Sequence, residues 1–125
     1  MTRTRPMTTI MGAGGVHLFR FSRTELLEPE YLRDVRRYIS RLMKTQRRVR
    51  VVLDLEEAAL LSSEAIGMIV ALSNALRAAG GTLHLANISD ETYAVLELTS
   101  LHGVVEMFDS TSDAVAGFQK YQLGD

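Results

Sequence analysis

The sequence predicts an α/β domain with a mainly parallel sheet, and three observations predict it. Segments rich in apolar and β-branched residues alternate with segments of helical apolar spacing, four times in succession, which implies crossover connections between parallel strands. Val49 to Leu53 is apolar with little alternation, as expected of a strand covered on both faces. The chain has 125 residues, enough for one domain with a real core, and its hydrophobic fraction of 46% and charged fraction of 23% are ordinary for a globular protein. The expectation is four or five strands packed with about four helices, with no internal repeat and no linker long enough to divide the chain.

Residues 1–14 are polar and basic, then Gly-rich, and are expected to be mobile. A first short strand near Thr8 to Met11, antiparallel to the next, is compatible with the Gly-rich link. Residues 15–122 form the single domain. Val16 to Phe21 alternates weakly and reads as a strand, followed by a loop over Ser22 to Glu28. Glu28-Pro29-Glu30 opens a helix, because Pro is tolerated in the first turn and acids are favoured there. Tyr31, Leu32, Val35, Tyr38, Ile39, Leu42 and Met43 recur at helical spacing, with Arg33, Asp34, Arg36, Arg37 and Arg41 on the other face. The buried strand Val49 to Leu53 follows, and Asp54, Glu56 and Glu57 mark its exit.

Ala58 to Leu61 carries the chain into Ser62-Ser63, a pair suited to capping a helix by accepting a bond from an unpaired backbone N–H. Glu64 places negative charge in the first turn, where the helix dipole favours it. From Ala65 to Leu72 only Gly67 is neither large and apolar nor Ala, so the helix is expected to be buried on most sides, with Gly67 serving close packing on the sheet. Ala78-Ala79-Gly80-Gly81 stops it, Gly being able to take the left-handed C-terminal conformation. Thr82 to Ala86 is a short strand, Ser89-Asp90-Glu91 caps a helix to about Leu98 or Thr99, and Val104 to Phe108 is the last strand. Ser110 to Asp113 has capping-box spacing before an amphipathic final helix carrying Ala114, Val115, Phe118 and Tyr121.

Composition narrows the function. A net charge of −1 gives the whole chain no bias toward nucleic acid or membrane. No run of about 18 apolar residues is present to span a bilayer, and Gly12-Ala13-Gly14-Gly15 interrupts any signal-like start. The absence of cysteine excludes disulfides, thiol catalysis and thiolate metal sites, and fits a cytoplasmic setting. His17, His84 and His102 are scattered without carboxylates at ligand spacing, which favours structural or surface roles over a metal site. Gly12 to Gly15 is followed by no Lys-Ser/Thr and is not a phosphate loop. Ser63 lacks a Gly-x-Ser-x-Gly elbow and an assignable base, so hydrolase chemistry is not expected. Lys44, Arg47, Arg48 and Arg50 read as a solvated helix end and loop, with an acidic partner as the lesser alternative. The methionines, among them Met43, Met68 and Met107, read as core filler. What remains is a pair of hydroxyls at the mouth of a helix, at the carboxyl end of a buried strand, where open parallel sheets tend to place their sites.

The stretch Asp54-Leu55-Glu56-Glu57-Ala58-Ala59-Leu60-Leu61-Ser62-Ser63-Glu64-Ala65-Ile66-Gly67 resembles the signature of STAS domains, the fold of bacterial anti-sigma factor antagonists. The similarity continues through Leu76 to Leu85, Ile88 to Glu91 and Val95 to Leu101, and ends with Phe108-Asp109-Ser110 and Ala114, covering roughly residues 15 to 120. The family's phosphorylated Ser falls on Ser63. Ser62 stands where the family has Asp, Glu64 where it has a second Ser, and Ala65 where it has Gly.

The resemblance implies a STAS-like fold and an anti-sigma factor antagonist in a bacterial partner-switching system. It implies binding without catalysis, without a metal or other cofactor, and without direct nucleic-acid contact or membrane insertion. The implied partner is an anti-sigma factor with serine kinase activity that phosphorylates Ser63, and a serine phosphatase would reset the switch. The implied docking residues are Leu61, Ser62, Ser63, Glu64, Ala65 and Met68. The alternative is a non-phosphorylated scaffold or a subunit of a transport or signalling assembly, since STAS domains also occur in lipid-transport and anion-transporter assemblies. A small-molecule sensor is a third idea, resting on fold analogy alone.

Overall fold

The computed structural model describes residues 7–11, 15–20, 29–56, 62–98 and 105–123. Strands β1 (Met7–Met11), β2 (Val16–Arg20), β3 (Arg50–Asp54), β4 (Thr82–Ala86) and β5 (Glu106–Phe108) form one sheet in the order β1-β2-β3-β4-β5. β1 pairs antiparallel with β2, and every other pairing is parallel. Helices α1 (Pro29–Thr45), α2 (Ser63–Ala78), α3 (Asp90–Leu98) and α4 (Thr111–Leu123) alternate with the parallel strands. The first strand expected near Thr8 to Met11 is therefore present and pairs as expected. The third strand is displaced by one residue, leaving Val49 just outside it and Asp54 within it. The last strand is shorter than expected; Val104, like Phe21, lies outside the described residues.

The strand pleat divides the core. Phe19, Val51, Leu53, Leu83 and Leu85 face α1, α2 and α3, meeting Val35, Ile39, Ile69, Leu72, Leu76 and Leu96. Val16, Leu18, Val52 and Ala86 face α4 through Ala114 and Phe118. β3 and β4 thus carry apolar side chains on both faces, which is why Val51 to Leu53 shows no alternation.

The helix ends follow their sequence signals. Ser89 Oγ accepts from Thr92 N–H at 3.1 Å and Ser110 Oγ from Asp113 N–H at 3.0 Å, capping α3 and α4. α2 ends in a Schellman motif: Gly81 N–H donates to the Leu76 carbonyl at 2.7 Å and Gly80 N–H to that of Arg77 at 3.1 Å. Gly80 takes φ +82°, and a Cβ on Gly81 would lie 2.5 Å from the Val49 carbonyl oxygen. Two glycines are needed for different reasons, one for its dihedral and one for its space.

α2 is not buried on most sides. Ala65, Ile69, Leu72, Ser73 and Leu76 line its buried stripe, whereas Ser63, Glu64, Gly67, Asn74, Arg77 and Ala78 are exposed. Gly67 does not serve packing on the sheet, because it lies on the solvent side and a Cβ there would meet nothing within 4 Å among the described residues. Ile66, Met68 and Val70 flank the stripe, partly buried against the core, and make the segment read as fully buried when only one stripe is.

Candidate functional site

β3 delivers the chain to the carboxyl edge of the sheet at Asp54, whose side chain is only 7% exposed. Its Oδ1 accepts from the Asn87 amide at 2.9 Å and from Glu56 N–H at 3.0 Å. Its Oδ2 accepts from Arg20 Nε at 3.2 Å and from the Thr111 hydroxyl at 3.4 Å. Asn87 holds φ +59°, a conformation Asn tolerates better than most side chains, and its N–H donates to the Phe108 carbonyl at 3.0 Å. One buried carboxylate thus joins β2, β3, the exit of β4 and the first turn of α4. Its hydrogen bonds compensate the cost of removing a charge from water. In the sequence Asp54 stands as a strand exit and as the first residue of the stretch that carries the family resemblance, with nothing to mark it as a buried hub. The usable signal is an acid directly after three apolar β residues, Val51 to Leu53, but its partners Asn87 and Thr111 are too distant in sequence for periodicity to find.

On the other layer, Ser62 is the N-cap of α2, with extended backbone at φ −71°, ψ 162° and Oγ accepting from Ala65 N–H at 3.0 Å. Ser63 is the first helical residue and is exposed, as are Ser62 and Glu64. The two hydroxyls therefore divide their work: Ser62 is committed to the helix, and Ser63 stands in solvent. Glu64 reaches across to α1, where Arg33 Nη2 lies 3.5 Å from its Oε2, both side chains more than half exposed. Such a pair contributes well under about 1 kcal/mol in water and holds neither side chain firmly.

Of the other expected docking residues, Ala65 is buried at 1% and Met68 is partly buried against the core, so both support the helix more than they present a surface. Leu61 lies outside the described residues. Gly67, one turn beyond Ser63 on the exposed side, was not expected at this surface and belongs to it.

The histidines are structural where they are described. His17 is buried, with Nε2 3.4 Å from Gln46 Oε1. His84 is fully buried, stacked on Phe118 with centroids 3.9 Å apart, and its Nδ1–H donates to the Ala114 carbonyl at 2.8 Å, the direction an acceptor-only carbonyl requires. Burial pushes its imidazole below the usual value, against the opposing pull of the Ala114 carbonyl and the Glu106 carboxylate. That carboxylate stands 3.2 Å from Nε2 but off the direction of a hydrogen bond. His102 lies outside the described residues. Among the described residues no group of three or more His, Asp and Glu is placed to hold a metal ion, and no helix is long and apolar enough to cross a membrane.

Against known proteins, the sequence model of the STAS domain matches residues 32–114. No curated protein sequence matches the chain. A STAS-domain anti-sigma-factor antagonist protein from Planctomyces limnophilus shares the fold with TM-score 0.76 at 17% identity, over 91% of this chain and 97% of that one. A candidate anti-sigma factor antagonist from Thermotoga maritima does so with TM-score 0.70 at 20% identity, over 90% and 92%. A sulfate transporter family protein from Wolinella succinogenes is also similar, with TM-score 0.68 at 13% identity, over 94% and 93%.

Proposed function

The chain belongs to the STAS domain family, and from that premise we propose that it is an anti-sigma factor antagonist that works by docking and is switched at Ser63. The observation that carries this reading is the exposed Ser63 hydroxyl at the N-terminus of α2, released from capping duty by Ser62. The similarity to anti-sigma factor antagonists in other organisms supports the same direction. Gly67 adds to it. A glycine inside a helix costs about 1 kcal/mol relative to alanine. No intramolecular packing among the described residues offsets that cost, whereas a partner approaching closely beside Ser63 would.

The partner is an anti-sigma factor with serine kinase activity. A phosphate on Ser63 would meet the unpaired N–H groups and favourable dipole of the helix start, so α2 need not unfold. It would add roughly −1.5 to −2 charges beside Glu64. A face that accepts the neutral hydroxyl would then lose affinity through like-charge repulsion and desolvation, and a loss of ~1.4 kcal/mol is already tenfold in binding. The docking face comprises Ser62, Ser63, Glu64 and Gly67, with Ala65 and Met68 beneath it. A serine phosphatase would restore the neutral state, placing the protein in transcriptional regulation. The test is incubation with the cognate kinase and ATP, followed by intact-mass measurement and site mapping. A single phosphate on Ser63, absent from Ser63→Ala, supports the reading; phosphate elsewhere, or none, removes the switch.

A second reading draws on the likeness to a sulfate transporter family protein. The chain would then be a non-phosphorylated subunit of a transport assembly, with Ser62 in place of the family Asp as its mark. Neighbouring genes encoding transporter components, and no kinase, would favour it.

A further inference from the structure

Charge is distributed very unevenly along this nearly neutral chain. Residues 33–50 hold eight of its fourteen lysines and arginines but only one of its fifteen acidic residues, leaving this segment at +7 and the rest at −8. On α1 the cations lie together. At 100° per residue, Arg33, Arg36, Arg37, Ser40, Arg41 and Lys44 fall on one side of the helix, opposite Val35, Ile39 and Leu42, which pack into or against the core. The five basic side chains are exposed, and all but Arg33 line, with Ser40, an open depression of ≈ 350 Å³. Two of them have neutralising partners, Arg37 with the half-buried Asp34 at 3.6 Å and Arg33 with the exposed Glu64 at 3.5 Å.

We propose that this outward face of α1 is an interaction surface for an acidic segment of a protein partner, running on from the face around Ser63. The continuity rests on the docking reading above; the charge argument does not. Arg33 joins the two, because α1 and α2 both begin at the carboxyl edge of the sheet and Arg33 touches Glu64, the neighbour of Ser63. From Arg33 to Lys44 the stripe is roughly 16 Å long and one helix wide, the footprint of about three turns of an acidic helix or a short acidic strand. Extended polyanions fit less well. The remainder of the chain carries −8, which opposes close approach to a large anionic surface. Among the described residues the stripe also offers no aromatic platform for bases and no apolar side chain for lipid: Tyr38, an exposed aromatic of α1, lies off it and packs edge-on against Phe19 at 5.7 Å.

The experiment uses the full chain and a labelled helical peptide bearing glutamates at i, i+3, i+4 and i+7 over four turns, read by fluorescence anisotropy at low and high salt. Duplex DNA, phosphatidylserine vesicles and the unlabelled chain itself are run in parallel. The wild type binds the peptide, and salt weakens the binding. The combined Arg36→Gln, Arg37→Gln, Arg41→Gln, Lys44→Gln variant binds about tenfold more weakly or worse, from four charge contacts each of modest strength. The combined Arg36→Lys, Arg37→Lys, Arg41→Lys variant keeps the charge and retains binding, which separates lost charge from lost folding. Ser112→Ala, which removes an exposed hydroxyl on α4 across the sheet from the stripe, leaves peptide binding within about twofold of wild type; peptide binding needs neither kinase nor phosphate, so the inference stands or falls apart from the Ser63 switch. No peptide binding, equal binding by the Gln variant, tighter binding to DNA or vesicles, or self-association that the Gln variant abolishes would each overturn it.

Discussion

Ser63 and Gly67 stand one helical turn apart on the solvent side of α2, and a Cβ at Gly67 would touch nothing within 4 Å among the described residues. An exposed hydroxyl beside an exposed glycine makes a smooth, low patch at the start of a helix whose opposite stripe is locked into the core. That relationship separates two properties usually entangled at a binding face, stability and affinity.

Gly67→Ala therefore stabilises the free protein while weakening docking. Helix propensity alone predicts a gain of up to about 1 kcal/mol, since a Cβ there meets none of the described residues. Urea unfolding measures the gain, and calorimetric titration with the anti-sigma partner measures the loss. Gly81→Ala gives the opposite result in unfolding, a loss of about 1–3 kcal/mol, because the new methyl meets the Val49 backbone carbonyl at 2.5 Å.

The two serines differ in the same way. Ser62→Ala removes the cap on Ala65 N–H and costs about 1 kcal/mol. Ser63→Ala removes an exposed hydroxyl and changes stability by no more than about 0.5 kcal/mol. Chemical denaturation of both variants distinguishes the structural serine from the available one.

Asp54→Ala leaves the Glu56 N–H without its acceptor, leaves the Asn87 amide only Thr111 Oγ1 at 3.3 Å, and removes the hydrogen bond that ties Thr111 of α4 to β3. These donors are part-buried, so water replaces some of what is lost and the cost falls toward the low end of about 1–3 kcal/mol. The loss appears in unfolding experiments, accompanied by faster amide exchange in the first turn of α4.

His84 makes stability depend on pH. Burial lowers its folded-state value below the ordinary 6.5, so the unfolded chain binds the proton more readily. Its contribution is fully present above pH 6.5 and is lost as pH falls from there through the folded-state value. His84→Asn, which can keep a donor toward the Ala114 carbonyl, removes this part of the slope. The difference between wild-type and variant stability, followed by denaturation from neutral to mildly acid pH, isolates it.

Much of this was legible in the sequence because the signals are local. Ser62, Ser89 and Ser110 announce helix starts by their own hydroxyls, Gly80 announces a helix end by its dihedral freedom, and Val51 to Leu53 announce a two-faced strand by failing to alternate. What escaped depends on distance along the chain. Arg33 and Glu64 are separated by 31 residues and Asp54 and Thr111 by 57, and no periodicity encodes such pairings. His84 appeared as one scattered histidine because its stacking partner, Phe118, comes from the last helix. Gly67 misled for a different reason. A glycine among apolar residues looks like a packing device, and only the face it occupies shows that a Cβ there would meet nothing within 4 Å among the described residues.

The most direct test of the docking account is calorimetric titration of the anti-sigma partner against this protein, unmodified and then stoichiometrically phosphorylated on Ser63. The account predicts that phosphorylation weakens binding by about tenfold or more while the circular dichroism of the free protein is unchanged. Equal affinity of the two forms would contradict it.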